Sequence, residues 1–87
     1  MHYLLFYEKS ADLESRRVQH QTPHLDYVVT AMKRGELLMA GSMQDPDNGD
    51  ALLVFTSKDI AEQFALDDPY VKHGIVSRWH IRPWDTL

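Results

Sequence analysis

The chain has 87 residues, thirteen acidic against nine basic, a net charge of −4 and no cysteine. A chain of this length is one small domain that buries only roughly 60–65% of the surface its unfolded form exposes. Disulfides, thiolate metal sites and a cysteine nucleophile are excluded, and the scattered basic residues leave no electrostatic footprint for a nucleic acid partner.

The opening MHYLLFYEKS lacks a basic flank, and its apolar run is too short for a signal sequence or a membrane span, so a cytoplasmic protein with no membrane partner is expected. Residues 2–8 (HYLLFYE) read as a first strand. Ser10 to Val18 reads as polar helix or loop, with a short turn of helix around Leu13. QTPHLDYVVTAMKRG carries helix punctuation: Thr22 as N-cap, Pro23 at N1, His24 at N2, Lys33 and Arg34 in the last turn, Gly35 as the stop. Its apolar stripe is Leu25, Val28, Val29 and Met32. Residues 36–43 (ELLMAGSM) predict a second strand, QDPDNGD a turn and residues 51–56 (ALLVFT) a third strand, together a hairpin. Thr56 or Ser57 caps a helix whose one face is Ile60, Ala61, Phe64 and Ala65. Asp68, placed before Pro69, ends that helix and caps a short further turn that stops at Gly74. Residues 75–84 (IVSRWHIRPW) form the last strand. No linker, repeat or low-complexity segment interrupts the chain, so residues 1–87 are one domain.

The order β-α-β-β-α-β is that of a ferredoxin-like α+β domain with a four-stranded antiparallel sheet and both helices on one side. Strands that face water on one side alternate apolar and polar residues, and these do not. Tyr3, Leu5 and Tyr7 oppose Leu4 and Phe6; Leu37 and Met39 oppose Leu38 and Ala40; Leu52 and Val54 oppose Leu53 and Phe55. Two helices cover one face only. The other face calls for a second copy of the chain, a homodimer with the two sheets packed together, or else lines an open cleft.

Five histidines invite a metal, but the Thr22-Pro23 cap falls between His20 and His24 and no third ligand is marked, so no metal site is expected. His2 and His80 read as sheet-surface residues and His73 as a residue at a helix end. The Asp45–Asp50 turn fails as a calcium loop, because Thr56 stands where a bidentate Glu is required. Ser42 has no nucleophile elbow around it and reads as a hydroxyl lining a pocket. Trp79, Trp84, Tyr7 and Tyr70 read as core or interface aromatics. His24 and Asp68 remain. A histidine beside free helical N–H groups favours its neutral, proton-accepting form, and a capping Asp accepts backbone N–H groups and can orient an imidazole. Spacing does not bring the two together, and by residue type alone both also read as plain capping residues.

YLLFYE in the first strand, ESRRVQHQTPHL leading into the helix, RGELLMAGSM, ALDDPYVKHGIV and RWHIRPW together resemble the YCII-related family over nearly the whole chain. The most specific parts are His24-Leu25 and Asp68-Pro69-Tyr70. The resemblance implies a ferredoxin-like protomer, a dimeric α+β barrel and a His–Asp pair at a pocket, roles that fall on His24 and Asp68. Relatives carry arginine three places before the histidine; Gln21 stands there instead, which removes a cationic anchor while Arg16 and Arg17 remain upstream. One branch resembles dehydrochlorinases of chlorinated hydroxyquinones, and the wider superfamily includes muconolactone isomerase-like enzymes and small monooxygenases. The implied activity is elimination or isomerisation of a small, aromatic-derived metabolite without metal or other cofactor. His24 would be the base, Asp68 its orienting group, and Arg17, Ser42 and Tyr70 the substrate contacts. The competing expectation is a dimeric ligand-binding or accessory protein that performs no chemistry.

Overall fold

A computed structural model describes residues 1–10 and 14–87, of which the side chains of 14–16 are left aside. The elements are β1 (His2–Lys9), α1 (Glu14–Lys33), β2 (Leu37–Ser42), β3 (Ala51–Phe55), α2 (Lys58–Asp67), α3 (Pro69–Lys72) and β4 (Val76–Trp84). They build one antiparallel four-stranded sheet in the order β2-β3-β1-β4, the ferredoxin-like arrangement expected. The strands that cross between the helices, β1 and β3, lie at the centre, with Leu5 opposite both Leu53 and Ile81. None of the described helices is long and apolar enough to cross a membrane.

One sheet face makes the core. Leu5, Tyr7, Leu37, Leu53, Phe55 and Val76 meet Val28 and Ala31 of α1 and Ala61, Phe64 and Ala65 of α2. Small residues on the helices let them approach the sheet closely, while Phe64 fills the space between Phe55 and Tyr27. The opposite face carries Leu4, Phe6 and Leu52, half-buried, together with Val54 and the exposed Met39. His80 lies on that face, exposed as expected, with its ring stacked on Phe6 at 4.8 Å.

Three expectations are corrected. The helix does not start at Thr22. α1 runs unbroken from Glu14, with Pro23 inside it and Thr22 exposed mid-helix. Thr22 is therefore no cap, and His24 does not sit beside free N–H groups. Pro23 removes one internal hydrogen bond, a local penalty of about 3 kcal/mol that a helix tolerates when packing outweighs it. Here the added turns carry Arg17, Gln21 and His24 on the same face as Val28, above the sheet. The apolar stripe is displaced as well: Val28 and Ala31 are buried, whereas Leu25, Val29 and Met32 stay exposed. In β2, a bulge between Leu37 and Met39 puts two residues against one on β3, so Leu37 and Ala40 share the helix side and Met39 faces the other way. Leu13 and the Arg16 side chain lie outside the described residues.

The punctuation was otherwise well placed. Ser57 caps α2 through the Ile60 amide, and Gly35 closes α1 with φ at +75°, a conformation that costs glycine least.

Candidate active site

Asp68 is made by local sequence. Pro69 keeps the preceding residue out of the helical region, so Asp68 is extended at φ −65° and ψ 127°, ends α2 through its own N–H to Phe64 O, and caps α3 by accepting from the Tyr70 amide at 3.0 Å. The junction is sealed beneath α1, and Asp68 is fully buried. A buried carboxylate is costly unless donors surround it. Two more supply that need: the Tyr7 hydroxyl donates to Oδ2 at 2.8 Å and His24 Nδ1 donates to Oδ1 at 2.8 Å.

The contact orders the imidazole. With Nδ1–H committed to the carboxylate, Nε2 of the neutral ring is the free acceptor. The ring is further held flat against Tyr70, with centroids 3.8 Å apart and planes 6° from parallel. Only about 15% of the His24 side chain is exposed, and that surface borders a pocket. Tyr7 stays a donor: burial foremost, then the adjacent Asp68 charge, push its phenol far above the ordinary tyrosine range.

The pocket, of about 230 Å³, lies between α1 and the helix side of the sheet. Leu25, Val28 and Met32 of α1 and Leu53 of β3 form apolar walls. Tyr7, His24 and Tyr70 gather around the buried carboxylate, while Lys9, Arg17, Gln21 and Ser42 add polar groups. Of the five residues singled out in the sequence, His24, Arg17, Ser42 and Tyr70 line this pocket and Asp68 stands directly behind His24. Tyr7 and Lys9 were missed as pocket residues. The alternation of Tyr7 with Leu5 places it on the core side of β1, but no local signal tells a packed tyrosine from one bonded to a carboxylate 61 residues away.

His20 and His24 occupy one helix after all, a turn apart, contrary to the cap expected between them. The His20 ring stacks on His73 at 3.9 Å, so two ring pairs, His20–His73 and His24–Tyr70, clasp α1 to the α3 region. Among the described residues no cluster of three potential metal ligands forms.

The YCII-related domain matches residues 1–85. The chain belongs to the YCII-related family. Two of its relatives are the proteins named YciI of Escherichia coli O6:H1 and of Shigella flexneri, each 27% identical over 97 residues, covering all of this chain and 99% of theirs. Among solved structures, this YCII-related protein resembles 5-chloro-2-hydroxyhydroquinone dehydrochlorinase from Burkholderia phenoliruptrix AC1100 in complex with 2,5-dihydroxybenzoquinone. The TM-score is 0.78 at 19% identity, over 98% of this chain and 94% of that one. That likeness establishes the shared fold.

Proposed function

We propose that this YCII-related protein is a small-molecule enzyme in which His24, oriented by Asp68, moves a proton on a one-ring, aromatic-derived metabolite. The observation that carries this reading is the 2.8 Å contact between the two side chains at the edge of the 230 Å³ pocket. A cavity of about 150 Å³ holds a benzene ring, so this one has room for a ring with substituents. Nε2 of His24 takes a proton from a ring hydroxyl or an acidic ring C–H. Returned to a ring carbon, that proton gives the keto tautomer, which is isomerisation; where the carbon that receives it carries chlorine, loss of a second hydroxyl proton then drives out chloride and leaves a quinone, which is elimination. Asp68 holds the tautomer and stabilises the imidazolium formed, while Tyr70 keeps the ring plane fixed. Arg17 and Ser42 meet negative charge that develops on the substrate oxygens. The dehydrochlorinase that shares the fold supports elimination as the first chemistry to assay.

The functional unit proposed is a homodimer that buries the second sheet face. Leu4, Phe6 and Leu52, only half-buried on that face in the single chain, support it, because the two helices cover the other face.

Purified protein is to be incubated with chlorinated hydroxyhydroquinones, chloride release and ring absorbance being followed. His24→Gln should lower turnover by about 100-fold or more with the melting temperature retained. A ring that binds, raises the melting temperature and is recovered unchanged by the parent protein would favour the ligand-binding or accessory reading instead.

A further inference from the structure

Residues directly opposite one another on paired strands share a face, so the register lays out rows that cross the second sheet face from β2 to β4. One row is Met39, Val54, Leu4 and Arg82, and the next is Gly41, Leu52, Phe6 and His80. A third level sets Glu8 against Arg78, beyond the Ala51–Tyr7 pair and beside the β2–β3 turn. The two edges of the face are unlike. The β4 edge carries Arg78, His80 and Arg82, all exposed, whereas β2 leads into a turn whose residues 43–50 hold Asp45, Asp47 and Asp50 and no basic residue.

The row through Phe6 is also uneven in relief. A side chain at Gly41 would meet no atom within 4 Å, which leaves a gap at the β2 end. At the β4 end the exposed His80 ring lies stacked on Phe6.

A second copy lays this face on its own in two limiting ways, with the twofold axis across the strands or along them. Across the strands, β4 falls on the partner's β4, with His80 on the partner's His80 and Arg78 on the partner's Arg82. The two gaps at Gly41 then face each other. Along the strands, β4 falls on the partner's β2 at the same level, with Arg82 over the partner's Met39, His80 over the partner's Gly41 and Arg78 beside the partner's acidic turn. The first arrangement opposes like charges and leaves voids; the second matches opposite charges and fills each gap with a ring. Glu8 also comes level with the partner's turn, and its charge is offset by Arg78 directly opposite on the same sheet.

We propose that two copies pair through the second sheet face about an axis along the strands, each His80 ring seated over the partner's Gly41 and each Arg78 set against the partner's Asp45–Asp50 turn. This rests on the homodimer reading above and adds the orientation and the residues that fix it. Gly41 also borders the pocket, so the seated ring backs that wall from outside and the dimer contact adjoins the ligand site.

The chain has no cysteine, so introduced thiols report positions without interference. Facing sheets lie about 10 Å apart and neighbouring strands about 4.8 Å apart, which puts position 80 about 10 Å from the partner's position 41 but on the order of 17 Å from the partner's position 80. A bismaleimide of about 10 Å reach should therefore convert the protein carrying both His80→Cys and Gly41→Cys into a covalent dimer and leave each single variant uncoupled. Both substitutions are at open positions, so the fold is retained. Coupling by His80→Cys alone would establish the axis across the strands and overturn the proposal. So would failure of the double variant to couple while light scattering still finds a dimer. A parent protein that is a monomer overturns the homodimer reading itself and this orientation with it. Asp45→Asn combined with Asp47→Asn should weaken association by about tenfold, two symmetric contacts each losing a modest ion pair. Unchanged affinity would remove the charge matching on which the choice of axis rests.

Discussion

Tyr7 and Asp68 act together on His24, and the tyrosine is the member that sequence reasoning passed over. Its hydroxyl satisfies Oδ2 and so leaves Oδ1 to the imidazole and the Tyr70 amide. Tyr7→Phe removes one donor from a buried carboxylate and leaves the ring volume in place. Hydrogen bonds to charged groups are worth about 1.5–3 kcal/mol, and in a domain this small that lowers the melting temperature by on the order of 10 °C. Under the proposed mechanism the same variant should lower kcat more than it raises KM, since Tyr7 would steady the group that orients the proposed base. An unchanged melting temperature would show that the bond contributes nothing net. Asp68 itself was legible because Asp-Pro is a strong local signal for a cap at a helix boundary. Its meeting with His24 was not, because 44 residues separate them and no local rule spans that distance.

Among the elements, α1 departs most from its sequence reading, and Tyr27 shows how it is anchored. The Tyr27 hydroxyl donates to Phe64 O at 3.1 Å and its ring stacks on Phe64, tying α1 to α2. Burial foremost, then the Asp67 and Asp68 charges, push this phenol from 10.0 up to about 12. The folded state therefore holds a proton that the unfolded chain releases above pH 10. The stabilising contribution is complete below pH 10 and is lost as pH climbs toward 12. Tyr27→Phe should be less stable than the parent near pH 8 and should lose melting temperature less steeply between pH 10 and 12, as thermal unfolding across that range will read out. Parallel curves would show that the Tyr27 proton is not linked to folding. The start of α1 was misread because Thr-Pro is an N-cap signal by propensity, and tertiary contacts of the preceding turns outweighed it. Asp68 and Gly35 stand where expected, and of Thr56 and Ser57 it is Ser57 that caps α2, because at those helix ends local preference goes unopposed.

For the whole molecule, the two-sided apolar strands lead to the proposed dimer. Leu52 sits on the second sheet face, half-buried in the single chain, on the side opposite its neighbours Ala51 and Leu53, which line the pocket. Leu52→Lys places a charge at the centre of that face and should reduce the solution mass from twice 10.1 kDa to 10.1 kDa, as light scattering will measure. A parent protein that is already a monomer overturns the dimer. The strand and helix order, the polar hairpin turn, the cap at Asp68, the stop at Gly35 and the apolar character of both sheet faces were written in the sequence, because each follows from neighbouring residues and a fixed period. The continuous α1, the bulge in β2, the stack of His20 on His73 and the enclosure of Asp68 by Tyr7, His24 and the Tyr70 amide were decided by the tertiary structure alone. Each of these depends on which distant side chains share a surface once the core closes, and packing energy there exceeds the local preferences that a sequence displays.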